Sequence, residues 1–328
     1  MKVCIYGAGA VGGHLAARLI AKGDAEVSVV ARGAHLAAIR DTGLFLETGG
    51  EVIGGKPAAA TDDPAELPPQ DLVVLTLKAP ALPAIARPLK ALLAPSAAAL
   101  FFTNGIPWWW RYGIDDGGSL PLLDPEGLLW RELGPECALG GVVYSSNALK
   151  EPGVVTHFAS NKWIIGDPTG DRSPRGEAAA ELLEAAGLNA PVSEDIRRDM
   201  WEKLFRNVAG NPLSALTRIP TAEWGAAPGI GEVGRGMIAE TVEVARALGW
   251  DLGEETDIDA IANPAPGRTG GRSSMLQDVE AGRPMEVEAI VGQVQAFARE
   301  AGVATPTIDV ILPLMRGLDA AIRSRREG

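Results

Sequence analysis

A glycine-rich turn near the start of the chain constrains the fold more than any other feature. The apolar, β-favouring run at residues 3–6 leads directly into GAGAVG at residues 7–12, and residues 14–21 follow with helical character. A second β-favouring run, residues 26–31, comes after Gly23. A strand, a glycine turn, a helix and a strand within about 30 residues form the unit from which parallel sheets are built.

The spacing of these glycines indicates a phosphate-binding loop for a dinucleotide. The first glycine permits a tight turn, the second lets the backbone approach a pyrophosphate, and the third allows close packing of helix on strand. Backbone N–H groups and the positive end of the helix would hold the diphosphate. The candidate residues are Gly7, Ala8, Gly9, Ala10, Val11 and Gly12. The alternative is a plain turn in a buried βα unit.

The residue at the end of the second predicted strand favours NADP(H) over NAD(H). An NAD site usually has an acidic residue about 20 positions beyond the glycines, where it binds the ribose 2′-hydroxyl. Arg32 stands at that place here, followed by Gly33. An arginine fork binds a 2′-phosphate, which a carboxylate would repel. The alternative is that Arg32 only points into solvent.

Two continuous apolar runs, residues 71–77 and 97–103, predict further strands that are covered on both faces, as in a doubly wound sheet. Lys78 and Asn104 directly follow them. Ligands of open α/β sheets bind at the carboxyl ends of the strands. Lys78 and Asn104 would therefore hold either the nicotinamide side of the cofactor or a substrate carboxylate, unless they are ordinary loop residues.

The character of the chain changes after Pro191. Strand signals disappear, and helical spacing recurs in residues 194–216, 231–248, 273–281, 286–301 and 307–322. We predict an α/β, Rossmann-type dinucleotide-binding domain at residues 1–193 and an all-α domain at residues 194–328. Residues 106–137 interrupt the α/β pattern and contain three consecutive tryptophans, at positions 108–110. This insertion predicts either an aromatic lid or pocket at the cofactor end of the sheet, or packing against the helical domain.

Composition argues against several classes of protein. The chain has 30 Lys and Arg against 42 Asp and Glu, and a net charge of −12 disfavours binding to nucleic acid. Two cysteines and three widely separated histidines predict neither a disulfide framework nor a metal site. An apolar stretch of about 18 residues, the length needed to cross a membrane, does not occur. We expect a cytoplasmic protein that does not bind membranes.

A polar stripe is predicted on the first helix of the second domain. Lys203, Asn207 and Asn211 recur every four residues and therefore share one helix face, and Pro212 follows. One cation and two amides suit a carboxylate or hydroxyl ligand, although an exposed polar face would look the same. Ser274 lies at a predicted helix start. The spacing further along the chain does not choose between Glu286 and Glu288.

In this order along the chain, the motifs resemble those of the ketopantoate reductase (2-dehydropantoate 2-reductase) family. They are residues 7–12, 31–33, 76–79, 104–105, 203–213 and 273–286. The resemblance implies a Rossmann-type NADP domain, a helical C-terminal domain and a small 2-oxo acid substrate in the cleft between them. It also implies NADPH-dependent reduction of 2-dehydropantoate to pantoate in pantothenate synthesis. Whether the chain is a monomer or a homodimer stays open.

The resemblance also implies a role for each matched residue. Lys203 would be the catalytic lysine and proton donor, and Glu286 would lie near both the substrate and the nicotinamide ribose. The residues expected to hold substrate are Asn207, Asn211 and Ser274. The residues expected to contact the cofactor are Arg32, Lys78 and Asn104, with Ser146 as a further candidate.

Two departures from the family pattern support alternative functions. An asparagine that helps bind substrate lies ten residues after the second helix asparagine in the family, and Thr221 stands there in this chain. The tryptophan insertion is the other departure. The first alternative is an NADP-dependent reductase of another, bulkier 2-oxo acid, or a D-2-hydroxy acid dehydrogenase. A separate alternative, which these departures do not support, is a protein that senses NADP without catalysis.

Overall fold

A computed structural model describes residues 1–114, 117–264 and 272–327 of the chain. The chain divides into two compact units. The first contains residues 1–103 and 107–199, and the second contains residues 104–106 and 200–328. The division therefore falls between residues 199 and 200, whereas the predicted domain boundary lies between residues 193 and 194. Residues 115 and 116 of the predicted insertion lie outside the described part of the chain.

The first unit is built on a nine-stranded sheet. Its strands are β1 (Lys2–Tyr6), β2 (Glu26–Val30), β3 (Leu44–Thr48), β4 (Glu51–Gly55), β5 (Ala59–Thr61), β6 (Gln70–Leu75), β7 (Leu93–Phe101), β8 (Ala138–Glu151) and β9 (Val154–Gly166). Their order across the sheet is β4-β3-β9-β8-β7-β6-β1-β2-β5. The central strands are parallel, whereas β8 pairs with β9, and β3 with β4, in antiparallel fashion.

The predicted α/β class is confirmed, with corrections in the sheet. The long strands β8 and β9 lie outside the apolar runs at residues 71–77 and 97–103, and β9 continues without a break from residue 154 to residue 166. Strands β3, β4 and β5 were not predicted, because they are short and lie at or near the edges of the sheet. Each antiparallel pair is a hairpin with a turn of two residues: Gly49–Gly50 joins β3 to β4, and Pro152–Gly153 joins β8 to β9. Antiparallel strands, unlike parallel ones, can be joined by a turn this short.

In the described part of the first unit, four α-helices lie entirely within it: α1 (Ala10–Lys22), α2 (Gly33–Asp41), α3 (Ala86–Leu92) and α4 (Pro174–Ala185). Helix α1 buries its apolar face, including Leu15 and Leu19, in the core that covers the sheet. It ends at Gly23, whose φ of 79° is left-handed and favours glycine. The helix therefore occupies a fixed position directly after the glycine turn.

The second unit is helical, as predicted. Helix α5 (Ile196–Thr217) crosses the division of the chain, and it is followed by α6 (Ile230–Ala247), α7 (Ile258–Ala262), α8 (Ser274–Glu280), α9 (Gln293–Ala301) and α10 (Pro306–Glu327). A π-helical turn, Glu288–Gly292, directly precedes α9. Among the described residues, no helix is both long enough and apolar enough to cross a membrane.

The three tryptophans of the insertion are core residues of the first unit. Trp108, Trp109 and Trp110 are 2%, 0% and 2% exposed. The Arg197 guanidinium lies 5.5 Å from the ring centre of Trp109 and donates a hydrogen bond of 2.8 Å to the Trp110 carbonyl. Gly140 leaves room for the Trp109 ring, because a Cβ there would lie 2.8 Å from it. Indoles buried to this degree do not form a solvent-facing lid.

Candidate active site

The glycine turn after β1 has the geometry that a dinucleotide-binding loop requires. Gly7 has a φ of 104°, and a Cβ at this position would lie 2.8 Å from the Leu77 side chain. A Cβ at Gly12 would collide with the Gly7 carbonyl and the Thr76 hydroxyl. At Gly9 a Cβ would meet no atom within 4 Å. Two of the glycines are thus required by packing, and the third borders open space.

The start of α1 is suited to an anion. Its N-cap is Gly9, which has no side chain to accept a hydrogen bond from the first turn, and that turn has no acidic residue. The first N–H groups of a helix have no partner within the helix and carry partial positive charge. Together with the open space beside Gly9, this arrangement fits the diphosphate of a dinucleotide.

Arg32 and Lys78 lie at the same edge of the sheet as the glycine turn. Tyr6, the last residue of β1, pairs with Val30 of β2 and with Leu75 of β6, and both pairings are parallel. Arg32 is exposed and is the N-cap of α2. Lys78 is partly exposed and precedes a short 3-10 turn. The positive charges therefore stand where a parallel sheet binds its ligands.

Asn104, Lys203 and Glu286 come together within the second unit. The Lys203 ammonium donates to Oδ1 of Asn104 at 2.8 Å, and the Asn104 amide donates to Oε2 of Glu286 at 3.1 Å. Glu286 is 7% exposed, and the other two side chains are partly buried. Residues separated by 99 and 182 positions in sequence thus form one hydrogen-bonded chain from a cation through an amide to a carboxylate.

Backbone contacts hold Asn104 at this place. The Ile106 N–H donates to the Ala289 carbonyl at 2.8 Å. Gly105, which lies between Asn104 and Ile106 in the chain, has a φ of 79°. A Cβ at Gly105 would collide with the same Ala289 carbonyl. Ala289 lies in the π-helical turn, a feature that is frequent at functional sites. The segment Asn104–Gly105, which follows β7, therefore packs closely against the residues that follow Glu286.

The structure distinguishes Glu286 from Glu288, which the sequence spacing did not. Glu286 is buried and accepts from Asn104. Glu288 instead accepts two hydrogen bonds from the Arg316 guanidinium, at 2.8 and 2.7 Å, in a partly exposed ion pair. Residues two apart at the start of a helical segment point in different directions, so only Glu286 joins the hydrogen-bonded chain that leads through Asn104 to the lysine.

The environment of Lys203 brings its titration close to neutral pH. Burial disfavours the charged form and lowers the pKa of Lys203 to about 8, and the negative charge of Glu286 opposes this shift. The ammonium is therefore the main form at neutral pH, but it releases its proton far more readily than an ordinary lysine. Such a group is suited to act as an acid near pH 7.

The other predicted substrate residues differ in burial. Asn211 is 5% exposed and Asn207 is partly buried, and both follow Lys203 along α5 at helical spacing. Ser274 is the first residue of α8 and is exposed, while its neighbour Ser273 caps that helix by accepting from the Leu276 N–H at 3.2 Å. Ser146, on β8, is exposed.

Sequence reasoning missed His35 as a partner of the glycine turn. Its Nε2 lies 2.6 Å from the Ala8 carbonyl, and its Nδ1 accepts from the Gly153 N–H at 3.0 Å. No pattern in the sequence signals this contact, because a single histidine on a short amphipathic helix has many possible partners.

Comparison with known proteins identifies the family. The family model for ketopantoate reductase PanE/ApbA matches residues 3–170, and the model for its C-terminal part matches residues 195–319. A 2-dehydropantoate 2-reductase of Mesorhizobium japonicum is 40% identical over 97% of this chain and 98% of its own. One of Caulobacter vibrioides is 30% identical over 95% of this chain and 97% of its own.

Solved structures agree with this result. The crystal structure of a PanE/ApbA family ketopantoate reductase from Ralstonia eutropha is 30% identical, with a TM-score of 0.81 over 98% of this chain and 100% of its own. The fold is also that of D-mandelate dehydrogenase in complex with NADH and anilino(oxo)acetate, at 23% identity and a TM-score of 0.82. The chain therefore belongs to the ketopantoate reductase family of oxidoreductases.

Proposed function

We propose that this protein is a 2-dehydropantoate 2-reductase that uses NADPH and supplies pantoate for pantothenate synthesis. The observation that carries the proposal is the hydrogen-bonded chain of Lys203, Asn104 and Glu286, which joins a proton donor to a carboxylate through one amide. The first unit would bind the cofactor, and the helical unit would supply the residues that act on the 2-oxo acid. A protein that only senses NADP has no need of such a donor.

Each residue has a distinct task in the proposed reaction. NADPH, when bound, supplies the hydride that reduces the 2-oxo carbon. The positive charge of Lys203 stabilises the negative charge that develops on the carbonyl oxygen, and the lysine then donates its proton to that oxygen. Glu286 and Asn104 keep the lysine charged and oriented. The amides of Asn207 and Asn211 bind the substrate carboxylate without neutralising the lysine.

A panel of 2-oxo acids tests the substrate. NADPH oxidation at 340 nm is followed with ketopantoate, 2-oxoisovalerate, phenylpyruvate and benzoylformate. We expect kcat/KM for ketopantoate to exceed the others by about 100-fold, which is about 2.7 kcal/mol of transition-state discrimination. A higher kcat/KM for an aromatic or branched oxo acid would overturn the substrate but retain the mechanism. NADPH binding without turnover of any oxo acid would overturn the enzyme.

One observation favours a second candidate, a reductase of a different 2-oxo acid. Thr221, where the family has an asparagine, lies beside the polar stripe of α5, because a Cβ at Gly210 would be 3.5 Å from its methyl group. Threonine offers one hydroxyl where asparagine offers a carbonyl oxygen and an NH₂ group, so the hydrogen bonds available to a substrate at this position differ from those of the family pattern. The panel of oxo acids distinguishes the two candidates, and Thr221→Asn then shifts preference toward ketopantoate if the second is right.

Arg32 is expected to select NADPH. We expect Arg32→Ala to lower kcat/KM for NADPH by about 10- to 150-fold and to leave that for NADH nearly unchanged. The physical reason is that a hydrogen bond to a charged group contributes about 1.5–3 kcal/mol. Arg40→Ala is the matched control, since Arg40 lies on the same helix and donates to the Ala60 carbonyl. Equal losses with both cofactors would contradict the role.

Glu286 is expected to set the pH range of activity. Its charge raises the pKa of Lys203, so Glu286→Gln should lower that pKa further below about 8. Because the protonated lysine is the active form, kcat is lost as pH rises through this pKa. The alkaline limb of the kcat profile, measured from pH 6 to 10, should therefore move to lower pH. Glu288→Gln, which removes the partner of Arg316 instead, should leave the profile in place.

A further inference from the structure

His35 joins the glycine turn to a turn on another part of the sheet. Its Nδ1 accepts from the Gly153 N–H at 3.0 Å, so Nδ1 carries no proton and the neutral ring is protonated at Nε2. The Nε2–H then donates to the Ala8 carbonyl at 2.6 Å. Burial lowers the pKa of His35 from its usual value, which keeps the ring neutral. Both ring nitrogens of His35 therefore make hydrogen bonds, Nε2 to the glycine turn and Nδ1 to the turn that contains Gly153.

The far side of this bridge is firmly anchored. Gly153 lies in the hairpin turn between β8 and β9, and its carbonyl accepts from the Phe45 N–H at 2.9 Å. Its φ is 84°, and a Cβ there would lie 3.2 Å from the Gly43 carbonyl and 3.3 Å from the Ala38 side chain. The turn is thus packed against α2 and the edge strands. His35 consequently transmits the position of a rigid element to the glycine turn.

The contact with Ala8 has a direct consequence for the next residue. A trans peptide is planar, so the Ala8 carbonyl and the Gly9 N–H point in opposite directions. With the carbonyl held by His35, the Gly9 N–H is turned away from α2. Open space borders Gly9, and the start of α1 follows immediately. This is the place where the family of dinucleotide-binding loops presents its backbone N–H groups to a pyrophosphate.

We infer that His35 is a positioning residue for cofactor binding, which orients the Ala8–Gly9 peptide so that its N–H faces the pyrophosphate. This inference rests on the proposed use of NADPH. It assigns to His35 a role through the backbone, distinct from that of the arginine at the 2′-phosphate. Loss of the contact weakens binding of every ligand that contains the pyrophosphate and spares ligands that lack it.

Two substitutions separate the two sides of the ring. The amide nitrogen of glutamine can replace Nε2, so His35→Gln keeps a donor for Ala8. The amide oxygen of asparagine can replace Nδ1, so His35→Asn keeps the acceptor for Gly153 and loses the donor. We expect His35→Asn to raise the Kd for NADPH about tenfold, and His35→Gln to recover most of this loss. His157→Asn is the control, because that ring contacts Thr48 and Ser160 instead.

The measurement is fluorescence titration of the intact protein with NADPH and with adenosine 2′-monophosphate, which has no pyrophosphate, together with Tm and steady-state kinetics. We expect KM for NADPH to rise while kcat at saturation changes little, and the Kd for adenosine 2′-monophosphate to stay constant. If His35→Gln is the weaker binder of NADPH, or if both ligands weaken equally, His35 only supports the fold and the inference is wrong. A native protein that does not bind NADPH would instead overturn the proposed function.

Discussion

Replacing Lys203 by alanine should lower kcat about a thousandfold while NADPH affinity changes little. The lysine is proposed both to stabilise the developing oxyanion and to donate the proton. Loss of one oxyanion donor typically costs about 10²- to 10³-fold in kcat, and proton transfer by a positioned group typically contributes about 10²- to 10⁴-fold. Its ammonium contacts Asn104 in a partly buried site, and its pKa is lowered to about 8. Stopped-flow or steady-state kinetics, with a separate NADPH titration, measure the two effects independently.

Companion variants make this result specific. Lys203→Arg keeps a positive charge but has a guanidinium that does not release its proton near neutral pH. If the arginine variant is nearly as slow as Lys203→Ala, proton donation is the larger part of the role. Arg206→Ala, which removes an exposed charge from the same helix, should keep kcat. A kcat of Lys203→Ala within a few-fold of the native value would eliminate the proposed mechanism.

Adding one methyl group at either of two glycines in the cofactor loop should have opposite consequences. Gly12→Ala places a Cβ against the Gly7 carbonyl and the Thr76 hydroxyl, which are hydrogen-bonded to each other and would have to shift. We expect a loss of about 3 kcal/mol of stability, the upper end of what overpacking costs. The Tm should then fall by about 6–12 °C. Gly9→Ala meets no atom within 4 Å, so its Tm should be native.

The two glycine variants also distinguish a loss of stability from a loss of cofactor binding. The methyl group of Gly9→Ala occupies space that the pyrophosphate is expected to approach, and we expect the Kd for NADPH to rise about 100-fold, or about 2.7 kcal/mol. Differential scanning fluorimetry gives the Tm, and fluorescence titration gives the Kd. If Gly9→Ala binds NADPH as tightly as the native protein, the glycine turn is not the pyrophosphate site.

Two side chains attach the glycine turn to the rest of the first unit. The glycine turn contacts the loop after β6 through the Thr76 hydroxyl, which donates to the Gly7 carbonyl, and α2 through His35. A cofactor loop held on two sides loses little conformational entropy on binding, and such preorganisation improves affinity. This explains why a contact distant from the reaction, such as that of His35, is expected to change KM rather than kcat.

Features that depend only on residues close together in the sequence were predictable from the sequence. Glycine spacing identified the turn, because the conformations and close approaches that it needs are possible only for residues without a Cβ. Apolar runs identified the central strands, because strands covered on both faces are continuously hydrophobic. The polar stripe on α5 followed from the helical repeat alone. The order of an α/β unit before a helical unit was determined in the same way.

Other features required the tertiary structure. Only the fold brings Asn104 to Lys203 and Glu286, and only the fold separates Glu286 from Glu288, which pairs with Arg316. The burial of Trp109 beside Arg197 was equally invisible. Periodicity and glycine spacing record local geometry along the chain, whereas these contacts join distant segments through packing. The sequence by itself thus determined the central strands, most helices of the second unit and the kind of chemistry, and the tertiary structure decided which side chains meet.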